Sequence, residues 1–379
     1  MENEASSESN CNHYEKYMRK ITPFIICLSF LVFHSCDRKV KHDSNVNPSE
    51  MKIRHQADTI GFVQYAWQMD SVIARISSED KTPSNEIYKA AVCPHDDYAY
   101  AAGLYNKTLA GIKAKTIVLI GVAHRARNFN LENKLIFGSF GEWDSPYGGI
   151  KVSPLRDDLL QKLKKESYIV HDSMMQLEHS LEAITPFLQK NNKDVEIIPL
   201  LVPYMTFKNM ELFSEDLSEV LSDLMKHKRL VYGNDISIVI SNDAVHYGSE
   251  GWGGKNLAPF GTNGNGNEKA RQKDLTIIEE CLVNELTSSK IKLFNNYTVK
   301  QDDFKEYAWV WCGRYSLPFG LLVANKLNLK TYESNLSGTL FDWRSSLHNP
   351  HIAVEDIGMG TTAPATSKHW VAFTGIGYQ

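Results

Sequence analysis

Three histidines stand where an apolar run stops: Ala91-Val92-Cys93-Pro94-His95, Thr116 to Gly121 followed by Val122-Ala123-His124, and Ile236 to Ile240 followed by Ser241-Asn242-Asp243-Ala244-Val245-His246. Imidazole suits zinc, copper and iron, and two imidazoles with one further ligand can hold a metal while leaving positions open for substrate. No compact motif such as His-Glu-x-x-His occurs, so a metal site would have to be assembled from separate segments. Asp243, three residues before His246, is a candidate ligand or a partner that fixes an imidazole tautomer; a loop carboxylate capping a turn is the plainer alternative. Glu178, His179 and Glu182 are candidates for a general base or for substrate contacts, His179 and Glu182 sharing a face if the segment opens a helix. An ordinary helix start fits them equally well. Cys312, ahead of Gly313-Arg314, is a soft ligand or a reactive thiol at a helix N-terminus, or else a small buried hydrophobe. Cys93 lies on the same strand face as His95 and is a weaker candidate. Arg314 either holds an anionic group of a substrate or lies at the surface.

Residues beyond the carboxyl ends of strands in an open α/β sheet reach a ligand without disturbing the core, and the surrounding pattern supplies such a sheet. Apolar spacing predicts a first helix within 58–78, a strand over 89–93, a helix over 99–112 and a doubly buried strand over 116–120. Residues 128–152 read as irregular or hairpin-like. A strand follows over 195–202, with Pro199 favouring an edge or a bulge. Helices are predicted over 207–225, 267–286 and 316–327, and strands over 236–240, 330–334 and 369–374. The loop over 247–267 is rich in glycine and asparagine, but Asn263-Gly264-Asn265-Gly266 has neither the preceding strand nor the Lys-Ser/Thr of a phosphate loop. Alternating strands and helices imply one α/β domain, with a largely parallel or mixed central sheet flanked by helices.

The 379 residues carry a formal net charge of −4 without a basic stripe, which argues against nucleic acid as a partner. The first 36 residues have another character. Arg19-Lys20 precedes an apolar run from Ile21 to Ser35, too short for a comfortable membrane span, and Leu31 to Cys36 resembles a bacterial lipobox. Residues 1–36 therefore read as a signal peptide, with Met18 a better start than Met1, and residues 37–55 as a flexible tether, leaving 56–379 as the folded body. The expectation is an exported bacterial protein held at the cell envelope by a lipid on Cys36. Of the remaining cysteines, Cys93, Cys281 and Cys312 are odd in number, so at least one thiol stays free.

Taken in order, Pro94-His95-Asp96-Asp97-Tyr98-Ala99-Tyr100, Gly121-Val122-Ala123-His124, Glu178-His179-Ser180-Leu181-Glu182, Ile197 to Val202, Ser241 to Gly248 and Cys312-Gly313-Arg314 resemble the motifs of the Memo-like family, often called AmmeMemoRadiSam system protein B in bacteria and archaea. The likeness covers about residues 88–375. It implies a fold similar to the catalytic subunit of class III extradiol dioxygenases. It also implies that His95, His124 and Cys312 bind the metal, Cys312 taking the place of the dioxygenase carboxylate, and that His246 matches the acid/base histidine with Asp243 close by. A thiolate in place of a carboxylate shifts the expected preference from hard Fe(II) toward copper or other softer metals. Two departures bear on this. The family's Pro-His-Ala-Gly-Tyr is Pro-His-Asp-Asp-Tyr here, adding Asp96 and Asp97 beside a ligand, and His124 is followed by Arg125 where paired histidines are common. The first would harden the metal site and the second would favour an anionic ligand.

The resulting expectation is a metalloprotein, with copper or iron rather than zinc at His95, His124 and Cys312, and with His246, Asp243 and His179 as catalytic residues. Asp97, Tyr98, Glu178 and Arg314 would contact the substrate. Oxidoreductase chemistry on a small molecule is the first reading. The second is a non-catalytic protein that holds a peptide or small ligand in the inherited crevice, lined by Tyr98, Trp143, Tyr147, Tyr247 and Trp311. Hydrolysis with Ser180 or Ser241 as nucleophile lacks the Gly-x-Ser-x-Gly turn that would support it.

Overall fold

The structure is a computed structural model and describes residues 51–363 and 365–379. The leader, Cys36 and residues 37–50 of the tether lie outside the described residues. The fold begins earlier than residue 56. Ile53–Arg54 pairs as a parallel strand with Glu142–Trp143, and the Arg54 side chain is fully buried, bound to Glu182 at 2.5 Å. Residues 53–55, read as tether, thus belong to the body.

The strands form one mixed sheet. Its centre is four parallel strands in the order Glu196–Val202, Thr116–Val122, Ile236–Ser241 and Ala90–Cys93. His369–Tyr378 then adds antiparallel to Ala90–Cys93, and Ser337–Ser345 antiparallel to that. The parallel strands are buried on both faces, as their unbroken apolar runs require. Val118, Ile120, Ile198, Leu200, Ile238 and Ile240 enter one core, and Ile117, Leu119, Ile197 and Val239 the other. The period of two along each strand divides them. The first core is covered by the helices Phe207–Lys228, Gly264–Cys281 and Ser316–Tyr332, the second by Ala66–Arg75, Tyr98–Leu109 and Thr185–Asn191.

Pro199 sits neither on an edge nor at a bulge. It pairs with Leu119 inside the sheet. Glu196 donates its N–H to Lys115, while the Ile197 carbonyl accepts from Ser153 on the opposite side, so alternation turns position 199 away from Thr116–Val122. On that opposite side Val152 pairs with Ile197 and Ile136 with Leu201, leaving a gap at residue 199. A proline there forfeits no ladder bond.

Other boundaries moved. The first helix is only Ala66–Arg75, and residues 58–65 run irregularly past the later site. The stretch 330–334 is no strand: the helix from Ser316 continues to Tyr332 and stops at Glu333 in the left-handed region (φ 57°). The strand follows instead at Ser337–Ser345. Residues 128–152 do contain a hairpin, Glu142–Trp143 against Ile150–Lys151. Glu178 to Glu182 form a turn between the helices Asp172–Leu177 and Thr185–Asn191, so His179 and Glu182 do not share a helix face. No helix of the described residues is long and apolar enough to cross a membrane.

Candidate functional site

Three adjacent parallel strands, Thr116–Val122, Ile236–Ser241 and Ala90–Cys93, end side by side. Each chain leaves its strand through a small or polar residue, which lets the next side chains gather above the sheet. His95 and His124 follow two residues after their strands, with ring centroids 5.2 Å apart. Past Ser241 the chain turns into the strand Asp243–Gly248, antiparallel to His369–Tyr378, with an irregularity in register between Asp243 and His246. His246 therefore arrives from a second strand rather than from a strand end, as the sequence pattern had it. Cys312 comes from the loop ahead of Ser316–Tyr332, held by a bridge between Val245 and Trp311 and by the Gly313 N–H donating to Asn242 Oδ1 at 3.0 Å.

Hydrogen bonds fix the tautomers. The Ser241 hydroxyl donates its only proton to the Ser180 carbonyl at 2.7 Å. At 2.7 Å from His95 Nδ1 it must therefore accept, so His95 carries its proton on Nδ1 and presents the Nε2 lone pair. For His124, Nδ1 donates to Glu178 Oε1 at 2.8 Å, while the His124 backbone N–H binds Glu178 Oε2 at 2.8 Å and the Ser180 N–H binds Oε1 at 3.0 Å. Nε2 of each ring is thereby left for a ligand, and ligand atoms, one from each of His95, His124 and Cys312, lie within 4.8 Å of one another. Cys312 Sγ is 3.4 Å from His95 Nε2 and accepts the Asp243 N–H at 3.1 Å. The Asp243 carboxylate accepts the His95 N–H at 2.9 Å through Oδ1, and Oδ2 is 3.4 Å from His95 Nε2. Two overlapping groups, His124 with Glu178 and His179, and Asp243 with His246 and Cys312, have similar spacing.

Burial sets the charges. It drives His95 well below the ordinary histidine value, with His124, His179 and His246 nearby adding to the effect, and lowers His246 to about 3. Burial likewise pushes the Cys312 thiol up, with Asp243 adding. It raises Asp243 to about 7 against the His95 N–H and His124. At His124 burial works downward, but the Glu178 carboxylate outweighs it and the value rises. Burial works upward on Glu178, yet His124 holds it down at about 2.

Above these groups lies a cavity of about 390 Å³. Its floor is His95, His124, His179, Asp243 and His246; its walls come from Asp58 and Phe62, from Asp96, Asp97 and Tyr100, from Gly251 and Trp252, and from the C-terminal Thr362, Ala363, His369 and Val371. His179 stacks on His124 at 4.9 Å with planes 8° apart and lies 3.7 Å from Asp58. Trp252 stacks on His369 at 4.0 Å.

Of the substrate contacts expected from sequence, only Asp97 lines this cavity. Tyr98 is buried and donates to the Ala183 carbonyl, and Glu178 sits beneath His124. Arg314 is neither at the surface nor in the cavity. It is 4% exposed, with its guanidinium 3.4 Å from the Tyr307 ring centroid and 4.5 Å from that of Tyr315. Arg125 is exposed and is not a lining residue. The aromatic groove of the second reading does not form: Trp143, Tyr247 and Trp311 are buried, and Tyr147 binds Asp70. Ser180 and Ser241 are fully buried with their hydroxyls committed to carbonyls, which leaves neither as a nucleophile. Asp96 and Asp97 belong to none of the three ligand groups and form cavity wall. Cys93 is buried in the core. The sequence reading missed Asp58, Phe62, Trp252, Thr362 and His369, which come from segments without a motif, and gave no role to Tyr100, which ends the first motif.

The molecule is thus an α/β protein with a tautomer-fixed His-His-Cys group at the carboxyl edge of a mixed sheet, His95 and Cys312 buried and His124 open to the cavity. The sequence profile of the Memo-like proteins matches residues 64–346, and the chain belongs to that family. A MEMO1 family protein of Aquifex aeolicus is 30% identical over 162 residues, 42% of this chain and 54% of the relative. One from Pyrococcus abyssi is 27% identical over 170 residues, 42% and 53%, and one from Saccharolobus islandicus 28% over 163, 41% and 52%. The matched region spans about half the length of each relative.

Proposed function

We propose that this chain is a metal-dependent oxidoreductase of the Memo-like family, acting on a small substrate and exported to the cell envelope on a lipid anchor at Cys36. The observation that carries the metal assignment is the pair of fixed tautomers: Ser241 and Glu178 each hold an Nδ1 proton, so both Nε2 lone pairs are left for a ligand, and one ligand atom from each ring lies within 4.8 Å of Cys312 Sγ. The donor set fits a metal, since His95 is kept neutral by burial and ligation requires neutral imidazoles. Imidazoles with one thiolate suit copper or iron better than a closed structural zinc site, and such a metal would supply one-electron chemistry. His95, His124 and Cys312 would hold it, Cys312 releasing its thiol proton on binding.

His246, neutral with Nε2 unpartnered, is available to hold a substrate proton, and Asp243, raised to about 7, can carry one near neutral pH. His179 closes the floor beside His124. An extradiol-type reaction rests on the family's resemblance to ring-cleaving dioxygenases alone. Metal bound to the full chain is to be measured by mass spectrometry beside a His95→Ala/His124→Ala double variant. Stoichiometric copper or iron, lost in the variant, is expected; no metal in either protein after loading with Fe(II), Cu and Zn would overturn the assignment.

A further inference from the structure

We infer that the substrate of this cavity carries a positive charge, a protonated amine on a small and partly aromatic body. This inference deepens the proposed function by naming a substrate class for the same site. The cavity wall presents Asp58, Asp96 and Asp97, three carboxylates that none of the metal-competent groups uses, and no lysine or arginine among its lining residues. The two arginines that sequence suggested for an anionic substrate are excluded by position, Arg314 being enclosed by tyrosines and Arg125 lying outside the wall.

These carboxylates are also incompletely used. Asp97 is 1% exposed; its Oδ2 accepts the Thr362 N–H at 2.6 Å and hydroxyl at 3.1 Å, while among the described residues no hydrogen-bond donor reaches Oδ1. Among the described residues the Asp96 carboxylate accepts only the Asp97 N–H, at 2.6 Å, and Asp58 has His179 at 3.7 Å. Asp97 is buried and Asp58 and Asp96 are half-buried; carboxylates gathered partly out of water without a lysine or arginine are costly, and an ammonium with its three donors would satisfy them. A second observation points to a ligand independently: the atoms His246 Nε2 and Trp252 Nε1, both of half-buried cavity-lining residues, are shielded from solvent and have no hydrogen-bond partner among the described residues. They can hold an oxygen or nitrogen at the other end of the substrate. The rings of Tyr100 and Trp252 line the space between, where aromatic faces favour a cation.

The test is a calorimetric titration of the full chain, stripped of metal so that an amine has no metal to ligate, with benzylamine, benzyl alcohol and benzoate. A charge-assisted contact predicts benzylamine binding about ten- to a hundredfold tighter than benzyl alcohol, with benzoate weakest. Asp96→Asn keeps an acceptor for the Asp97 N–H and should remove most of that preference; Asp58→Asn, at a side chain 33% exposed, should remove part of it without threatening the fold. Equal affinities, a preference for benzoate, a preference that both variants retain, or no measurable binding by any of the three overturns the inference. Bound metal measured on the same proteins separates this from the function it rests on: amine preference without metal retention refutes the metal assignment and leaves the amine site, and metal retention without the preference does the reverse.

Discussion

Replacing Glu178 with glutamine tests whether the carboxylate is what prepares His124. Glu178 is 1% exposed and accepts three N–H groups, from His124 Nδ1, the His124 backbone and the Ser180 backbone, at 2.8, 2.8 and 3.0 Å. A glutamine amide has one oxygen, so its NH₂ group must face at least one of these donors, and a buried donor left unpaired costs about 1–3 kcal/mol. The charge is lost as well. The drop of Glu178 from 4.5 to about 2 corresponds to roughly 3 kcal/mol of interaction in the folded state. The raised value of His124 reports the same contact from the other side and is not added. The expected loss of stability is therefore about 2–4 kcal/mol, read by urea denaturation at pH 7. Its pH dependence has a defined sign. A carboxylate whose folded value is depressed stabilises above its unfolded value, so this contribution is complete above about pH 4.5 and fades as pH falls toward 2. Glu178→Gln should lack that segment of the acid limb. Removing the partner that orients a ligand imidazole also weakens metal binding by about 10- to 100-fold. A variant within about 0.5 kcal/mol of wild type, with unchanged metal affinity, would refute the reasoning, because ordinary surface substitutions do no more than that.

Three further outcomes follow. Cys312→Ala should abolish any thiolate-to-metal absorption of the copper-loaded protein while His95 and His124 still retain metal; an unchanged spectrum would remove the thiolate from the ligand set. Gly61 adopts φ +83° and an added Cβ would lie 2.0 Å from Asp97 Oδ1, so Gly61→Ala should cost at least 1–2 kcal/mol in denaturation, the usual penalty for a left-handed alanine, and weaken benzylamine binding. Asp274 is fully buried and accepts the indole N–H groups of Trp309 and Trp311 at 2.8 and 2.7 Å, that of Trp343 at 3.2 Å and the Val245 N–H at 3.2 Å. Asp274→Leu, which strands all four donors, should destabilise by about 3–5 kcal/mol, and a loss under 1 kcal/mol would contradict this accounting.

What could be read from sequence were the strands and the residues just beyond them. Ile117 to Ile120 and Ile236 to Ile240 declare themselves because a strand buried on both faces reads as a near-continuous apolar run, broken here only by the small Ser237, and the polar residues that end such runs stand out. The partnership of Cys312 with His95 and His124 was legible only through family motifs, since nothing local in Trp311-Cys312-Gly313 reveals which strand ends it meets. Arg314 was misread for the complementary reason: a guanidinium among tyrosines looks the same in sequence as one in a crevice. The cavity walls at Asp58, Trp252 and Thr362 were invisible, because loops are positioned by what they pack against and carry no periodicity. At residues 330–334 the helix from Ser316 runs on to Tyr332 through an exposed last turn, which leaves no pattern of burial in the sequence to mark it.

The position of His369–Tyr378 makes one strand the latch of the fold. This ten-residue strand lies between Ala90–Cys93 and Ser337–Ser345, and the wall residues His369 and Val371 belong to it. Until it docks, Ala90–Cys93 is an open, wholly apolar edge, a template for intermolecular pairing. Neither the sheet nor the cavity closes without it. Deleting this strand should yield aggregation rather than a partly folded protein, and its docking is the step that ends this exposure.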